Sequence, residues 1–542
     1  MRTILTWNTV IGLIGGLAMA SNAAVATGAV FGSHMVLQRE APIPVFGTAA
    51  NGEAVSVTLG AQTKNTTAAN GSWKIYLDAM PAGGPHTLTI KGTNTVTYTD
   101  VLVGEVWHCA GQSNMDTRMN YSEYDFATDI AKADAPLLRY ITMRQPNQTI
   151  KWQTVTPTTA ASMTATGYYF GRNLLDNLKG VAVGIVNTSV GGTVIKTWLD
   201  PATVAATSDL AGDAEAGSMY TSWVKPVEGF GVKGTVYLQG ENDASSSALY
   251  GAYNKRLEAL VKGWRKSWNA PQMPFIVVGL CHKGALQTAV GEASNQASVR
   301  EAQRQVTDTM PNSILSVAID LGSATTWHYP QKPELGKRLG ALARGVFYGQ
   351  TGFVYQSPKP LGCYFRGSTI VIPWDVRGSK LKLSSGTAPT GFAITGGDGK
   401  WAWASTATLK GDTVFLTTGI SKPTQVEFAW ANQPIMNLTN SDGLPATPFR
   451  MAIAPTSGIG APAAQAGGSW KIAAHGRRAE IPPMDGIWQI QVLDASGREC
   501  RRIPAQDLSA GADLDLPRLR GVYTVSIRSK RGLALSEKVV VP

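Results

Sequence analysis

Apolar and polar residues alternate at a period of two from residue 27 to about 104: Val55, Val57 and Leu59, then Trp73, Ile75 and Leu77, then Leu88 and Ile90. That period puts every second side chain on one buried face, so the segment predicts half-buried strands. Asn51-Gly52, Asn70-Gly71 and Ala82-Gly83-Gly84-Pro85 separate the runs as turn clusters, and together they predict a small antiparallel sandwich. From about 105 to 350 short continuous apolar runs alternate instead with helical periodicity. Phe170, Leu174 and Leu178 share a helix face before the run 181–186. Tyr253, Leu257, Leu260, Val261 and Trp264 share another before 275–280, and Leu335, Leu339 and Leu342 a third after 314–319. This is the pattern of βαβ units around a parallel sheet. Strand alternation returns over 351–455, in Ile370, Ile372 and Trp374, in Val414 and Leu416, and in Val426, Phe428 and Trp430. Residues 456–480, rich in Ala, Gly and Pro, predict a linker. The stretch 481–542 alternates once more, through Trp488, Ile490, Val492 and Val522 around the turn Ser496-Gly497. The expected architecture is α/β: a parallel-sheet core over 105–350, flanked by β-sandwich domains at 27–104 and 351–455, with a small C-terminal β module.

At 542 residues the chain exceeds what one hydrophobic core supports, which agrees with several domains. Residues 1–26 have the form of an export signal: Arg2 gives a positive start, 10–20 are uncharged and mostly apolar, and small residues follow through Ala26. The apolar run is too short to span a bilayer, so the expected location is secreted, periplasmic or at a cell surface. Cys109, Cys281, Cys363 and Cys500 lie far apart without a C-x-x-C pair, which excludes a zinc ribbon. The net charge of +11 is spread along the chain with no dense Lys/Arg run interleaved with aromatics, so nucleic acid is not an expected partner. The basic excess of the C-terminal module suggests association with a cell surface or an insoluble polymer.

Chemistry is expected in the central region, because ligands of such sheets collect at the carboxyl ends of the strands. Trp107-His108-Cys109-Ala110-Gly111-Gln112-Ser113-Asn114-Met115 ends the apolar strand from Val101 and puts Ser113 on a strand-to-loop turn. A serine there can expose its hydroxyl or simply cap a helix. Met115 occupies the final glycine position of the G-x-S-x-G elbow of α/β-hydrolases, so that elbow is absent. The run 183–186 leads to Asn187-Thr188-Ser189-Val190-Gly191-Gly192-Thr193, where two glycines let backbone amides approach an oxyanion, or form an ordinary turn. The run 236–238 leads to Gln239-Gly240-Glu241-Asn242-Asp243, in which the Asn242 amide can donate to developing negative charge, although Asn and Asp at strand ends are also plain turn formers. The run 314–319 leads to Asp320-Leu321-Gly322 and then to Trp327-His328-Tyr329-Pro330. Of the other histidines, His34, His86 and His475 fall in β modules or linker, His108 precedes the serine and His282 follows another strand, which makes His328 the preferred base. A serine, amide donors and a histidine on four strand ends fit nucleophilic acyl transfer better than any one motif does alone.

In this arrangement the sequence resembles the sialate O-acetylesterase family of the SGNH hydrolases, whose blocks look like W-x-C-S-G-Q-S-N-M, G-G-T, Q-G-E-x-N and I-H-P-x-x-K. The similarity extends to Met35-Val36-Leu37-Gln38-Arg39, to Arg300-Glu301-Ala302-Gln303, and to Trp430-Ala431-Asn432 through Gly443-Leu444-Pro445 to Pro448-Phe449-Arg450, and so covers about residues 30–452. The resemblance implies an SGNH-like core that hydrolyses acetyl esters on sugar hydroxyls through an acetyl-serine, without metal or organic cofactor. It makes Ser113 the nucleophile and His328 the base and later the acid. The Ser113 amide, Gly191 or Gly192, and Asn242 become the oxyanion hole. The family usually has an Asp two residues before the histidine, and other SGNH enzymes have one three before; here Thr326 and Thr325 stand there. Asp320 is the expected acidic partner, with Glu241 or a backbone carbonyl as alternatives. Tyr329 replaces the usual Pro, while Lys332 stays in step. The implied partner is an acetylated carbohydrate, either a sialic acid ester or a plant polysaccharide such as acetylxylan. The rival of another class is a non-catalytic carbohydrate-binding protein with a disabled core.

Overall fold

The computed structural model describes residues 24–143, 150–210, 212–292 and 294–454, and the backbone of strands between 473 and 541. The expected export signal up to residue 23, the expected linker up to residue 472 and the Ser496-Gly497 turn lie outside the described residues. The chain forms two compact units, one of Met1–Ser357, Arg377–Ser379 and Ala429–Phe449, the other of Pro358–Val376, Lys380–Phe428 and Arg450–Pro542.

An 11-stranded sheet organises the first unit, and its central member is β1 (Thr95–Gly111). The outer half of β1 alternates in exposure, whereas every residue from Val101 to Gly111 is buried. The strand thus passes from a one-sided sandwich into a sheet covered on both faces, and it crosses the domain boundary expected at 104. Around it lie β2 (Ala135–Thr142), β3 (Gln153–Val155), β4 (Ala182–Asn187), β5 (Gly234–Leu238), β6 (Phe275–Val278) and β7 (Ser313–Ser316), in the spatial order β3-β2-β4-β1-β5-β6-β7. Neighbours are parallel except β3 against β2. The chain builds one side of β1 and then the other, and this reversal opens a crevice at the carboxyl ends of the middle strands. The segments that follow β4, β1 and β5 are therefore neighbours in space, while the segment after β7 must return from the sheet edge.

The period-two and helical patterns explain the packing. On β1, Val106 and Ala110 face one core and Trp107 and Cys109 the other. The helices α1 (Ser113–Asp116), α2 (Ala165–Asn177), α3 (Ser247–Ser267), α4 (Asn295–Thr309) and α5 (Lys332–Leu342) accompany the sheet. Phe170 and Leu174 of α2 and Leu335, Leu339 and Leu342 of α5 share the core of Trp107. Tyr253, Leu257, Leu260, Val261 and Trp264 of α3 fill the other. Trp107 is fully buried, meets Phe170 edge-on at 5.3 Å and donates from its indole to the Tyr348 hydroxyl at 2.8 Å. Truncating it to alanine costs about 3–5 kcal/mol. His108 is a core histidine: it bonds Thr188 at 2.8 Å, and burial pushes its pKa down to about 3.

From the N-terminal region Gly83–Lys91 pairs antiparallel with β1, and Val36–Gln38 lies parallel to it. The Gln38 amide oxygen accepts from the Val106 amide at 2.9 Å, and Arg39 donates to buried Glu105 at 2.5 Å, which also takes the Tyr348 hydroxyl at 2.9 Å. The block from Met35 to Arg39 is thus a clamp on the strand that leads to Ser113. Residues 429–449, expected within the second β domain, belong to the first unit. Arg300 donates to the Ala431 carbonyl, and Asn432 takes the Gln296 amide on its side chain at 3.2 Å. This joins two sequence blocks that lie far apart along the chain.

In the second unit, strands Thr369–Asp375, Thr413–Thr417 and Gln425–Phe428 bury the alternating Ile370, Ile372, Trp374, Val414, Leu416, Val426 and Phe428. Toward the C-terminus the backbone forms antiparallel sheets of three and four strands. Ala473–His475 and Arg478–Ile481 already belong to the former, so the expected linker 456–480 is shorter at its C-terminal side.

Candidate active site

The turn after β1 is set by close approach of two strands. At Gly111, with φ of +132°, a Cβ would lie 1.9 Å from the Leu238 carbonyl oxygen, so only glycine lets β1 end this close to β5. Gln112 then donates its backbone amide to that same oxygen at 2.9 Å, and Ser113 opens α1. The Ser113 hydroxyl is half-buried and has no hydrogen-bond partner among the described residues.

The residues on either side of Ser113 point into the protein. The Gln112 side-chain oxygen accepts from Gln239 at 3.1 Å and from the backbone amide of Gly240 at 3.3 Å. Gln239 also donates to the Thr193 carbonyl at 3.0 Å and to Asp243 at 2.5 Å. Asp243 in turn accepts the Ile195 amide at 2.9 Å, and its pKa is pushed up to about 6 by burial. This network fastens the loops after β4, β1 and β5 to one another.

Both polar atoms of the Asn114 side chain and its carbonyl are bonded. Its amide donates to Glu241 at 2.6 Å and to the Trp327 carbonyl at 3.1 Å, while its side-chain oxygen accepts from Lys332 at 2.7 Å and its carbonyl from Thr166 at 2.9 Å. Lys332 is fully buried, which pushes its pKa down to about 7. Burial raises the pKa of Glu241, and the Asn114 bond opposes that shift. The bond to Trp327 ties the turn of Ser113 to the residue that precedes His328.

The proposed oxyanion donors gather beside the serine. A Cβ on Gly191 would lie 3.4 Å from Ser113 Cβ. The amides of Ser113 and Gly191 meet no acceptor among the described residues. Asn242 donates one amide hydrogen to the Gly192 carbonyl, which leaves the second free to point at a ligand. Gly192 thus serves through its carbonyl, as an anchor for Asn242.

His328 is half-buried, and its pKa is lowered by burial and by the nearby Lys332, with Glu123 acting in the opposite direction. Its Nδ1 faces the Tyr121 hydroxyl at 3.0 Å, and Tyr121 donates onward to Glu123 at 3.2 Å. Thr326 donates to the other Glu123 oxygen at 2.6 Å and accepts the His328 backbone amide at 3.1 Å. The expected acidic partners stand elsewhere. Both oxygens of Asp320 are held by Arg338 at 2.7 Å, because Asp320 sits in the short turn Ile319–Leu321 facing α5. Glu241 is engaged by Asn114. Sequence reasoning also passed over Asn114 and Tyr121; only the empty acidic position at 325 and 326 signalled that the surroundings of His328 depart from the family pattern.

Among the described residues no group of three or more His, Cys, Asp or Glu side chains could hold a metal ion. Cys109, Cys281 and Cys363 are free thiols, each with its pKa pushed up to about 12 by burial, and they are too weakly acidic to act as nucleophiles.

A serine and a histidine at the carboxyl end of a parallel sheet, with amide donors alongside, are the fold and site of a hydrolase. The family model for carbohydrate esterases described as sialic acid-specific acetylesterase matches residues 103–343. A carbohydrate acetylesterase of known structure from Xanthomonas citri is 32% identical, covering 79% of this chain and 99% of that one with a TM-score of 0.72. The sialate O-acetylesterase of Rattus norvegicus is 27% identical over 60% of this chain and 74% of its own, and that of Homo sapiens 26% identical over 65% and 77%. The chain belongs to the sialate O-acetylesterase family of carbohydrate esterases.

Proposed function

We propose that the protein removes O-acetyl groups from polysaccharide by a serine acyl-enzyme mechanism, with acetylxylan as the substrate class. His328 Nε2 takes the Ser113 hydroxyl proton as Oγ bonds to the acetyl carbon. The negative charge that forms on the carbonyl oxygen is met by the amides of Ser113 and Gly191 and by the free hydrogen of Asn242. The C–O bond to the sugar then breaks, and the sugar oxygen leaves with the proton from His328. A water molecule gives its proton to His328 as it attacks the acetyl-serine, and acetate departs with Ser113 restored. The observation that carries this reading is Asn114, which bonds the Trp327 carbonyl and so fixes the serine turn to the histidine loop.

Trp327 supports a glycan substrate. It is 50% exposed, directly precedes His328 in the chain, and has the Lys283 ammonium 5.4 Å from its ring centre, so the histidine loop carries an exposed aromatic ring on which the C–H face of a sugar can stack. The export pattern of residues 1–26 supports action outside the cytoplasm, and the basic C-terminal module supports retention at a polymer or envelope surface. The test is acetate release by wild type and Ser113→Ala from acetylxylan and from an O-acetylated sialoglycoconjugate. Release from acetylxylan alone, lost in the variant, is expected. Release from the sialoglycoconjugate alone would correct the sugar, and no release from either or from an aryl acetate would return the protein to a non-catalytic role.

A further inference from the structure

We infer that Tyr121 and Glu123 together replace the missing aspartate of the triad, as a hydroxyl relay that orients the His328 imidazole and supports its charge. The inference rests on the esterase role of Ser113 and His328 and deepens it.

Polarity makes the argument. A base that takes a proton at Nε2 must carry its own hydrogen on Nδ1. The tyrosine hydroxyl has one hydrogen, and the carboxylate of Glu123, an acceptor only, claims it at 3.2 Å. The Tyr121 lone pair is then what faces Nδ1 at 3.0 Å, so the negative charge of Glu123 selects the tautomer with Nε2 bare. The Tyr121 ring also stands edge-on to the imidazole, at 5.2 Å between centres with an interplanar angle of 87°, and limits its rotation. Thr326 completes the arrangement by holding Glu123 with its hydroxyl while accepting the His328 amide. The threonine at the usual aspartate position thus binds the carboxylate that takes over. When the imidazolium forms, Nδ1–H and Nε2–H are both donors, and the relay passes part of that charge to Glu123 without moving a proton onto it. Tyr121 and Glu123 are positioning residues, because neither touches the reacting atoms.

Glu123→Gln tests the charge. A glutamine can turn its NH2 toward Tyr121, reverse the hydroxyl and present a donor to Nδ1, which favours the wrong tautomer. On an aryl acetate we expect kcat to fall about tenfold with KM unchanged, and the acid limb of kcat/KM to move to lower pH, since Lys332 then acts on His328 unopposed. Tyr121→Phe should cost on the order of tenfold to a hundredfold. The double variant should be no slower than Tyr121→Phe, because both act along one chain. NMR titration of the His328 imidazole, assigned by its absence in His328→Gln, should show a lower pKa in Glu123→Gln than in wild type. This readout needs no substrate, so it decides the relay even if wild type hydrolyses no ester and the esterase reading itself fails. A Glu123→Gln enzyme with wild-type kcat and an unmoved His328 titration, or losses that multiply in the double variant, would overturn the relay.

Discussion

The two halves of the site are held in opposite ways. Ser113 rests on a buried lattice of amides and charges, in which Gln112 and Asn114 are each 2% exposed and Gln239 and Lys332 are fully buried. His328 rests on a solvent-facing rim, where Glu123 is exposed and Thr326 and Tyr121 are half-buried. In the interior a broken hydrogen bond costs the full desolvation of the groups left behind, so the bonded lattice beneath the serine turn resists rearrangement. At the rim, water and salt compete with each bond, so orientation there is cheaper to assemble and easier to alter. In the proposed mechanism the serine side fixes where the chemistry happens, and the histidine side tunes how fast and over what pH range.

The largest effect expected in either half is that of Ser113→Ala, which removes the proposed nucleophile and should lower kcat by at least about 10⁴-fold, read on an aryl acetate with little change in melting temperature. Asn114→Ala should come next and should break both activity and fold. It leaves Glu241 and Lys332 facing one another in the interior with unmet bonds, for a loss on the order of 3 kcal/mol in denaturant unfolding. It also releases the Trp327 carbonyl, and kcat should fall about a hundredfold as the histidine loop drifts. An Asn114→Ala protein as stable as wild type would remove the contrast between buried lattice and exposed rim.

That contrast also governs what could be seen in the sequence. The strands, the three helix faces and the placing of Ser113, Gly191 and Asn242 were legible because hydrophobic periodicity sets the sheet, and loops that follow neighbouring strands must meet. The lattice was half legible: Asn114 and Lys332 stood in recognisable blocks, but nothing local says that an asparagine will bridge a buried carboxylate and a buried ammonium. Asp320 was misplaced because closeness to His328 along the chain was taken for closeness in space, while Arg338, one helix further on, claims it with two bonds. Tyr121 and Glu123 left no periodic or spacing signal at all, since they lie on an irregular loop more than two hundred residues before the histidine they serve. Residues 429–449 were assigned by strand pattern, whereas the Arg300 guanidinium and the Asn432 side chain bind them to the first unit.

The pH profile sharpens the comparison with a smaller effect. As the proposed base His328 must be neutral to accept a proton, and burial together with Lys332 holds its pKa below the ordinary histidine value. Activity should therefore fall with decreasing pH only below about pH 6.5, where a free imidazole would already be half protonated. Glu123 pulls the other way from the exposed rim, while the Lys332 charge is buried and less screened. Raising salt should weaken Glu123 first and move the acid limb further down, which pH–rate profiles at two ionic strengths would register. An upward movement with salt would mean that the buried cation is the more screened of the two, against the division between the halves of the site.

Trp327→Ala should have the smallest effect, and it separates binding from chemistry. The ring belongs to the residue before His328 and has no part in the proposed acyl transfer, so its loss should leave kcat on an aryl acetate unchanged. The same change should raise KM for acetylated polysaccharide by roughly fivefold, the equivalent of about 1 kcal/mol of apolar surface no longer covered by the sugar. The Trp327 carbonyl, which Asn114 binds, is backbone and survives the substitution, so a fall in kcat on the small ester would show that the indole ring helps set the histidine loop. In that case the rim would be a packed element as well as a polar one, and the division between a rigid serine side and a tunable histidine side would have to be redrawn with Trp327 on the rigid side.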